Sequence, residues 1–325
     1  MKSSGIGGQA VLEGVMMRHK DKVAVAVRRT DGVIEVGRME YHNLTEKNKF
    51  FRLPVVRGVV SFISSLIIGI KTLMYSATFF EEEEEQTKKD DGGKGEKAMI
   101  FWTLLFSIVF AVAIFMVLPY YLSALIMKLI GSDSQLLLAV IEGIFKLAIF
   151  VGYLAAISLM KDIRRTFMYH GAEHKSINCI ESGLPLTVDN VMASSKEHRR
   201  CGTSFVVFVL VLSIIVFMFI HVDNHLLRIA IRLLLIPIIA GIAFEFIQWA
   251  GNSDSKAAAI LAKPGLWVQA LTTKEPERDM CEVAIASVEA VFDWREYLRS
   301  MGVEIAEPEK EDVSEGAGND IQGSV

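Results

Sequence analysis

His170-Gly171-Ala172-Glu173-His174 sets two imidazoles four residues apart with a carboxylate between them. This is the H-x-x-E-H pattern, in which one helix presents two zinc ligands and a general base. On a helix both rings project from one face, one turn apart, with Glu173 beside them. The chemistry this serves is hydrolysis: the metal lowers the pKa of a water toward about 7 while the carboxylate accepts its proton. The five-residue match gains weight from His198 and Cys201, which follow in the same polar stretch, and from Glu245, near the end of a later apolar run. Two histidines with one or two of His198, Cys201 and Glu245 supply the three or four ligands zinc takes. An open position then implies catalysis and a closed set implies structure. The bland alternative is that His170 and His174 bond lipid phosphates or loop carbonyls and that Cys201 is an ordinary small apolar residue. Ser194-Ser195-Lys196 is no nucleophile arrangement, and no phosphate-cradling glycine motif occurs.

The elements that must position these groups are those of a membrane protein. The hydrophobic fraction is 52% and the mean hydropathy is +0.38, above the usual soluble range. Four stretches have the roughly 20 residues a bilayer-crossing helix needs: 99–122, 136–160, 203–222 and 226–250. The connections 123–135 and 223–225 carry almost no Lys or Arg, whereas 161–200 carries Lys161, Arg164, Arg165, Lys175, Lys196, Arg199 and Arg200. By the positive-inside tendency, both termini and the His/Cys loop 161–202 face the cytoplasm. Arg199 and Arg200 beside the membrane suit neutralisation of headgroups, so membrane lipid is an expected partner. The net charge of −4 comes with no basic patch suited to nucleic acid. Cys179, Cys201 and Cys281 are too few and scattered for a disulfide framework, and the N-terminus does not resemble a signal peptide.

Residues 1–53 contain a small cytosolic β unit, because 23–27 and 33–36 flank Asp31-Gly32, a pair suited to a tight hairpin. Alone it would be marginal, so it should pack on other parts of the chain. Within it, Glu13 and Arg18 are candidates for orienting a substrate, against the plainer reading of solvated strand edges. Residues 54–80 are apolar but carry Arg57 and Lys71, which favours an interfacial or re-entrant helix over a crossing one. The segment 81–98 reads as an acidic disordered linker and 303–325 as a disordered acidic tail. In 251–302, Lys263-Pro264-Gly265 reads as a turn ahead of a membrane-surface Trp267, and 280–298 as an amphipathic helix suited to covering the β unit. Glu142, Lys146 and Arg232 lie inside the spans, where a charge costs about 2.5–3.5 kcal/mol on insertion scales. Glu142 is therefore expected to pair with Lys146, Arg232 or both. The alternative, an ion or proton pathway through these residues, is the poorer fit for four spans without repeat symmetry.

Four blocks together resemble one known family. They are residues 7–18, the stretch Tyr169-His170-Gly171-Ala172-Glu173-His174-Lys175, residues 198–205, and Pro264-Gly265-Leu266-Trp267. In this order they are similar to the YqhQ-like bacterial membrane proteins, the domain-of-unknown-function family 1385, over about residues 5–295. The family's usual His-Pro-Arg-Cys-Gly-Thr is altered here by Arg199 in place of proline, which leaves His198 and Cys201 in position. The resemblance implies a bacterial plasma-membrane protein and a metal-dependent enzyme of unassigned reaction.

The sequence thus describes a mainly α polytopic membrane protein: four transmembrane helices, a fifth re-entrant or interfacial helix and a small cytosolic β unit. Its expected function is that of a metal-dependent hydrolase at the cytoplasmic membrane face, acting on a membrane-embedded or membrane-proximal substrate with a divalent metal such as zinc. Glu173 is the base; His170, His174, His198, Cys201 and Glu245 are the candidate ligands. The rival is a non-catalytic scaffold or assembly factor with a membrane-protein partner. It predicts tolerance of Glu173→Gln and sensitivity at Trp267, and the enzyme reading predicts the reverse.

Overall fold

The structure, a computed structural model, describes residues 3–41, 49–80, 94–198, 200–220, 222, 224–251, 253 and 255–304. Most of the expected acidic linker, the acidic tail from residue 305 and Arg199 lie outside the described residues.

The chain begins with a four-stranded antiparallel meander: β1 (Ile6–Val11), β2 (Gly14–His19), β3 (Lys22–Arg28) and β4 (Ile34–Glu40), in the order β1-β2-β3-β4. Two-residue turns join the first three strands, with Glu13 (φ 50°) and Lys20 (φ 54°) in left-handed conformations; Gly32 (φ 87°) serves the third turn. Strand alternation gives the sheet two apolar faces. Val15, Met17, Ala24 and Ala26 join one core, and Met16, Val23, Val25 and Val27 join another. The first face is covered by α5 (Lys161–Glu181) and α10 (Arg278–Val291), through Tyr169, Ala172, Ile177, Ile180, Met280, Val283, Ala284 and Val288. The second is covered by α1 (Val56–Ala77), through Ile68 and Tyr75. The β unit therefore packs on helices from three separate parts of the chain.

Among the described residues, four helical stretches are long and apolar enough to cross a membrane by length and composition. They are α1; a continuous run over Phe101–Ile130; α4 (Gln135–Ile157); and residues 227–251 of α8 (His225–Gly251). The second comprises α2 (Lys94–Val112), a π-helical turn (Ala113–Val117) and α3 (Leu118–Ile130). It runs well past residue 122, because Ser123–Ile130 continues the helical pattern and only Gly131, left-handed at φ 64°, stops it. α7 (Gly202–Met218) is shorter than the expected span 203–222; its 17 residues rise about 25 Å. α1 meets the length criterion that the expectation of an interfacial or re-entrant helix had discounted. Its first half lies along α8, where the guanidinium of Arg57 grips Glu245 (Nε to Oε1, 2.6 Å), and its second half lies on the sheet.

Three other expectations change. The segment 161–200 is mostly ordered helix: α5 is a new helix after a break at Ser158–Met160, followed by the short α6 (Val188–Ala193). Lys263-Pro264-Gly265 forms no turn but lies inside α9 (Lys256–Thr272), where Gly265 closes directly onto Ser204 of α7; a Cβ there would lie 2.6 Å from the Ser204 hydroxyl. The amphipathic segment after Met280 is two helices, because Asp293 caps α11 (Trp294–Ser300) by accepting from the Glu296 amide.

Between the spans, Glu142 meets both of its expected partners. Lys146 Nζ lies 2.8 Å from Oε1, and Arg232 binds both carboxylate oxygens, one at 3.0 Å. All three side chains are buried, and both cations stand over the Phe217 ring, at 4.9 and 5.0 Å.

Candidate metal centre

The centre is built on the middle of α5, where every residue from Gly171 to Ile177 is buried. Tyr169, Ala172, Ile177 and Ile180 turn into the sheet core. That rotation sends His170, Glu173 and His174 toward the first turn of α7, the end of α9 and strand β1. Residues this enclosed leave little room beside them, and the sequence supplies glycine at the tightest contact. A Cβ on Gly171 would lie 1.9 Å from the Lys274 carbonyl oxygen, because the segment leaving α9 crosses directly over α5 there.

That crossing fixes His170. Its Nδ1 lies 2.9 Å from the Thr272 carbonyl, and the Nδ1 of His174 lies 2.6 Å from the Lys196 carbonyl. A carbonyl can only accept, so each Nδ1 carries a proton, and in a neutral ring each Nε2 then keeps the lone pair. This is the arrangement that orients and polarises metal-ligating histidines. The loop carrying Lys196 is itself held by α5: Lys175 Nζ donates to the carbonyls of Met192 (2.8 Å) and Ser194 (2.9 Å), and Asn178 Nδ2 to those of Ser195 (2.6 Å) and Glu197 (2.9 Å).

Cys201 caps α7, its Sγ accepting from the Thr203 amide at 3.3 Å and lying 3.3 Å from His170 Nε2. The potential ligand atoms of His170, His174 and Cys201 all fall within 4.8 Å of one another. With Zn–N near 2.0 Å and Zn–S near 2.3 Å, tetrahedral ligand atoms stand about 3.5 Å apart. The donor set is one that could hold a zinc-type divalent ion, with the widest pair closing by about 1 Å to reach that spacing.

Glu173 is buried, with Oε2 3.9 Å from His170 Nε2. Burial pushes its carboxyl up to about 7, against the opposing pull of His170 and of the Gly8 amide that donates to it. Gly8 has to be glycine: a Cβ there would stand 2.8 Å from Glu173 Cγ and 2.7 Å from the Met16 carbonyl oxygen.

The remaining sequence-derived candidates are engaged elsewhere. His198 faces Glu181 (3.9 Å) and Arg200 (3.4 Å), and its backbone is clamped by Gln269, whose Nε2 donates to the His198 carbonyl at 2.7 Å. Burial lowers the His198 pKa, and nearby His174 and Arg200 add to that. Burial alone would raise Glu181, but His198, the Ser4 amide and hydroxyl, and Arg200 outweigh it and hold it at about 2. Glu245 is taken by Arg57, because α1 docks its first turn on α8 at that level. Glu13, aimed by its left-handed turn, pairs with Arg165 and accepts from the Tyr169 hydroxyl at 3.2 Å. Arg18 lies over the Tyr41 ring at 4.8 Å. Neither of these two lines the cavity described next. Cys179 and Cys281 are core residues whose thiols burial raises to about 11.

A cavity of about 650 Å³ opens beside the centre, with His170, Glu173, Arg200 and Cys201 at its polar end. The groups the sequence reading missed are Gly8, Lys175, Asn178 and Gln269. Asn178 was open to discovery, since it follows His174 by one helical turn; the others depend on long-range contacts.

Gly171→Ala is expected to displace the Thr272–Lys274 crossing and loosen His170. Overpacking of this kind costs about 1–3 kcal/mol, to be read as a fall in the thermal midpoint of the detergent-solubilised protein. An unchanged midpoint would show that the crossing segment yields freely.

Helices long and apolar enough to cross a membrane, together with an imidazole–thiol cluster, are the features of a membrane protein with a candidate metal site. The chain belongs to the family described as protein of unknown function (DUF1385), whose model matches residues 53–294. It is also 36% identical over 288 residues to the uncharacterized protein YqhQ of Bacillus subtilis (strain 168), covering 86% of this chain and 90% of that one. No solved structure matches the chain.

Proposed function

We propose that the protein is a metal-dependent hydrolase of the bacterial plasma membrane, with His170, His174 and Cys201 holding a divalent ion, zinc foremost, and Glu173 acting as base. The observation that carries this reading is the convergence of three ligand atoms within 4.8 Å, both histidines oriented by backbone carbonyls, on a cavity that Glu173 also lines. A bound ion would supply Lewis acidity at the cavity end. The residues do the rest. Glu173, raised by burial toward neutrality, takes the proton of the attacking water and returns it to the leaving atom as the scissile bond breaks. Thr272 and Lys196 hold the two imidazoles in the ligating tautomer. The site is assigned to the cytoplasmic face, with both termini on that side, from the basic residues of 161–200. α1 then reads as an interfacial or re-entrant helix: Ile63, Leu66, Ile67, Ile70, Leu73 and Met74 expose an apolar stripe while the opposite face carries the sheet.

The test is metal content of the purified protein by elemental mass spectrometry, beside a His170→Ala, His174→Ala double variant of equal fold. Near-stoichiometric metal that disappears in the variant is the expected result. Its absence from both, even after reconstitution with zinc, would sink the reading. A second reading rests on one contact: Cys201 sits at a helix N-terminus 3.3 Å from His170, the setting of an activated thiol nucleophile. That reading requires no metal, and the same measurement decides between the two.

A further inference from the structure

We infer that the cavity beside the centre takes the apolar chain of a membrane amphiphile, which enters sideways from the hydrocarbon layer between α1 and α7 and sets its polar linkage at His170, Cys201 and Glu173. The inference rests on the hydrolase reading for what happens at the linkage and on the cavity itself for the chain.

The cavity has two chemically different ends. One end carries His170, Glu173, Arg200 and Cys201; beyond it the wall is chiefly apolar, with Phe62 and Leu66 of α1, Phe205 and Val206 of α7, and Phe244 and Ile247 of α8, and with Ser61, Ser65 and Gln248 as the uncharged polar groups among them. Its volume lies within the ~300–1,000 Å³ typical of sites for small organic ligands. A site for a water-borne polar substrate would line its whole depth with hydrogen-bonding groups. Here the charged and ligating groups are confined to α5 and the approach to α7 and most of the remaining lining is apolar, as a ligand with one polar end and one apolar end requires.

The direction of entry follows from exposure. Leu66 is 54% exposed and Val206 is 43% exposed, although both line the cavity, so its outer wall is also the outer surface of helices that carry apolar faces. α1 and α7 each pack on α8, and across the seam between them Phe62 meets Phe205 with ring centroids 5.3 Å apart. The seam is therefore a pair of aromatic rings facing an apolar surround, a boundary that an alkyl chain crosses without desolvating a polar group. A transmembrane peptide is the poorer occupant, since a helix with its side chains is about 10–12 Å across and would have to separate α1 from α7 along their length. Among the described residues, Arg200 is the side-chain cation that lines the cavity, and it is already paired to Glu181, which favours a neutral linkage over an anionic head.

The test uses the full-length protein in phosphatidylcholine nanodiscs with a monoacylglycerol whose acyl chain carries a photoactivated diazirine. Crosslinks are mapped by peptide mass spectrometry. Labelling is expected at cavity residues of α1, α7 and α8, and should be lost in a Ser65→Trp variant that fills the cavity. Labelling of the lipid-facing Phe106 on α2 should be unchanged in that variant and serves as the control. Loss at both places would mean misfolding, and a Ser61→Trp variant then provides the same comparison from the next turn. Crosslinks confined to lipid-facing residues, or undiminished in both filled variants, overturn the inference whether or not the protein holds metal. Cavity labelling that persists in a metal-free His170→Ala, His174→Ala variant upholds the chain site independently of the hydrolase reading.

Discussion

Glu142→Leu is expected to abolish accumulation of folded protein, the largest stability effect in the chain. Among the described residues, Glu142 is the sole acidic partner of Lys146 and Arg232, and all three are buried inside the helical bundle. Removing it leaves two cations packed against Phe217 with no counter-charge. Breaking a buried ion pair from one side costs about 3–5 kcal/mol, a large share of the ~5–15 kcal/mol by which a native protein is stable. The cluster has little slack, since Arg232 Nε already lacks a hydrogen-bond partner. The measurement is the monodisperse fraction on size exclusion after detergent extraction, with thermal unfolding of whatever survives. A triple variant, Glu142→Leu with Lys146→Met and Arg232→Met, removes charge and counter-charge together and is expected to recover much of the loss, because an apolar replacement of similar volume is often neutral or stabilising. If Glu142→Leu alone behaves as the unsubstituted protein does, the pairing is energetically idle and a polar pathway becomes the better account of these residues.

The pairing was legible in the sequence because two local rules meet there. A glutamate and a lysine four residues apart share a helix face, and a third charge at matching depth on another span has few other places to go. The H-x-x-E-H face was legible for the same reason: helical periodicity alone places His170, Glu173 and His174 together. Cys201 joined them because it opens the next apolar run, which fixes its depth. Glu245 satisfied the same depth argument and yet went to Arg57. Depth gives only one coordinate; which neighbour faces a side chain depends on how α1 docks on α8, and no periodicity encodes that. Glu13 and Arg18 likewise lie outside the cavity, against Arg165 and Tyr41, by the course of the meander over α5. The misplaced turn at Lys263-Pro264-Gly265 has a further cause. Proline and glycine are local breakers, but tertiary packing overrides propensity here, and Gly265 provides the contact with Ser204 that holds α9 against α7.

Glu173→Gln is expected to leave the metal and the fold in place and to remove turnover. The amide is isosteric with the carboxyl, keeps an oxygen to accept from the Gly8 amide and, being neutral, is if anything easier to bury. What it cannot do is take a proton from water. Loss of a positioned general base lowers the rate by about 10²–10⁴, so the variant should bind divalent metal as the unsubstituted protein does yet hydrolyse at a small fraction of its rate. The substrate need not be known in advance. Membranes containing either protein can be incubated in ¹⁸O-labelled water and their lipids profiled by mass spectrometry, since hydrolysis leaves one ¹⁸O in the product that receives the water oxygen. Label that appears only with the unsubstituted protein identifies product and activity together. Glu13→Gln is the matched control, because Glu13 lies outside the cavity on Arg165 and Tyr169, and its loss should alter stability without touching the labelling pattern. Equal labelling with Glu173→Gln would remove the carboxylate from the chemistry and leave the Cys201–His170 contact as the place to look for the nucleophile. No labelling with any protein, alongside stoichiometric metal, would turn the centre into a structural one whose task is to tie α5 to the start of α7.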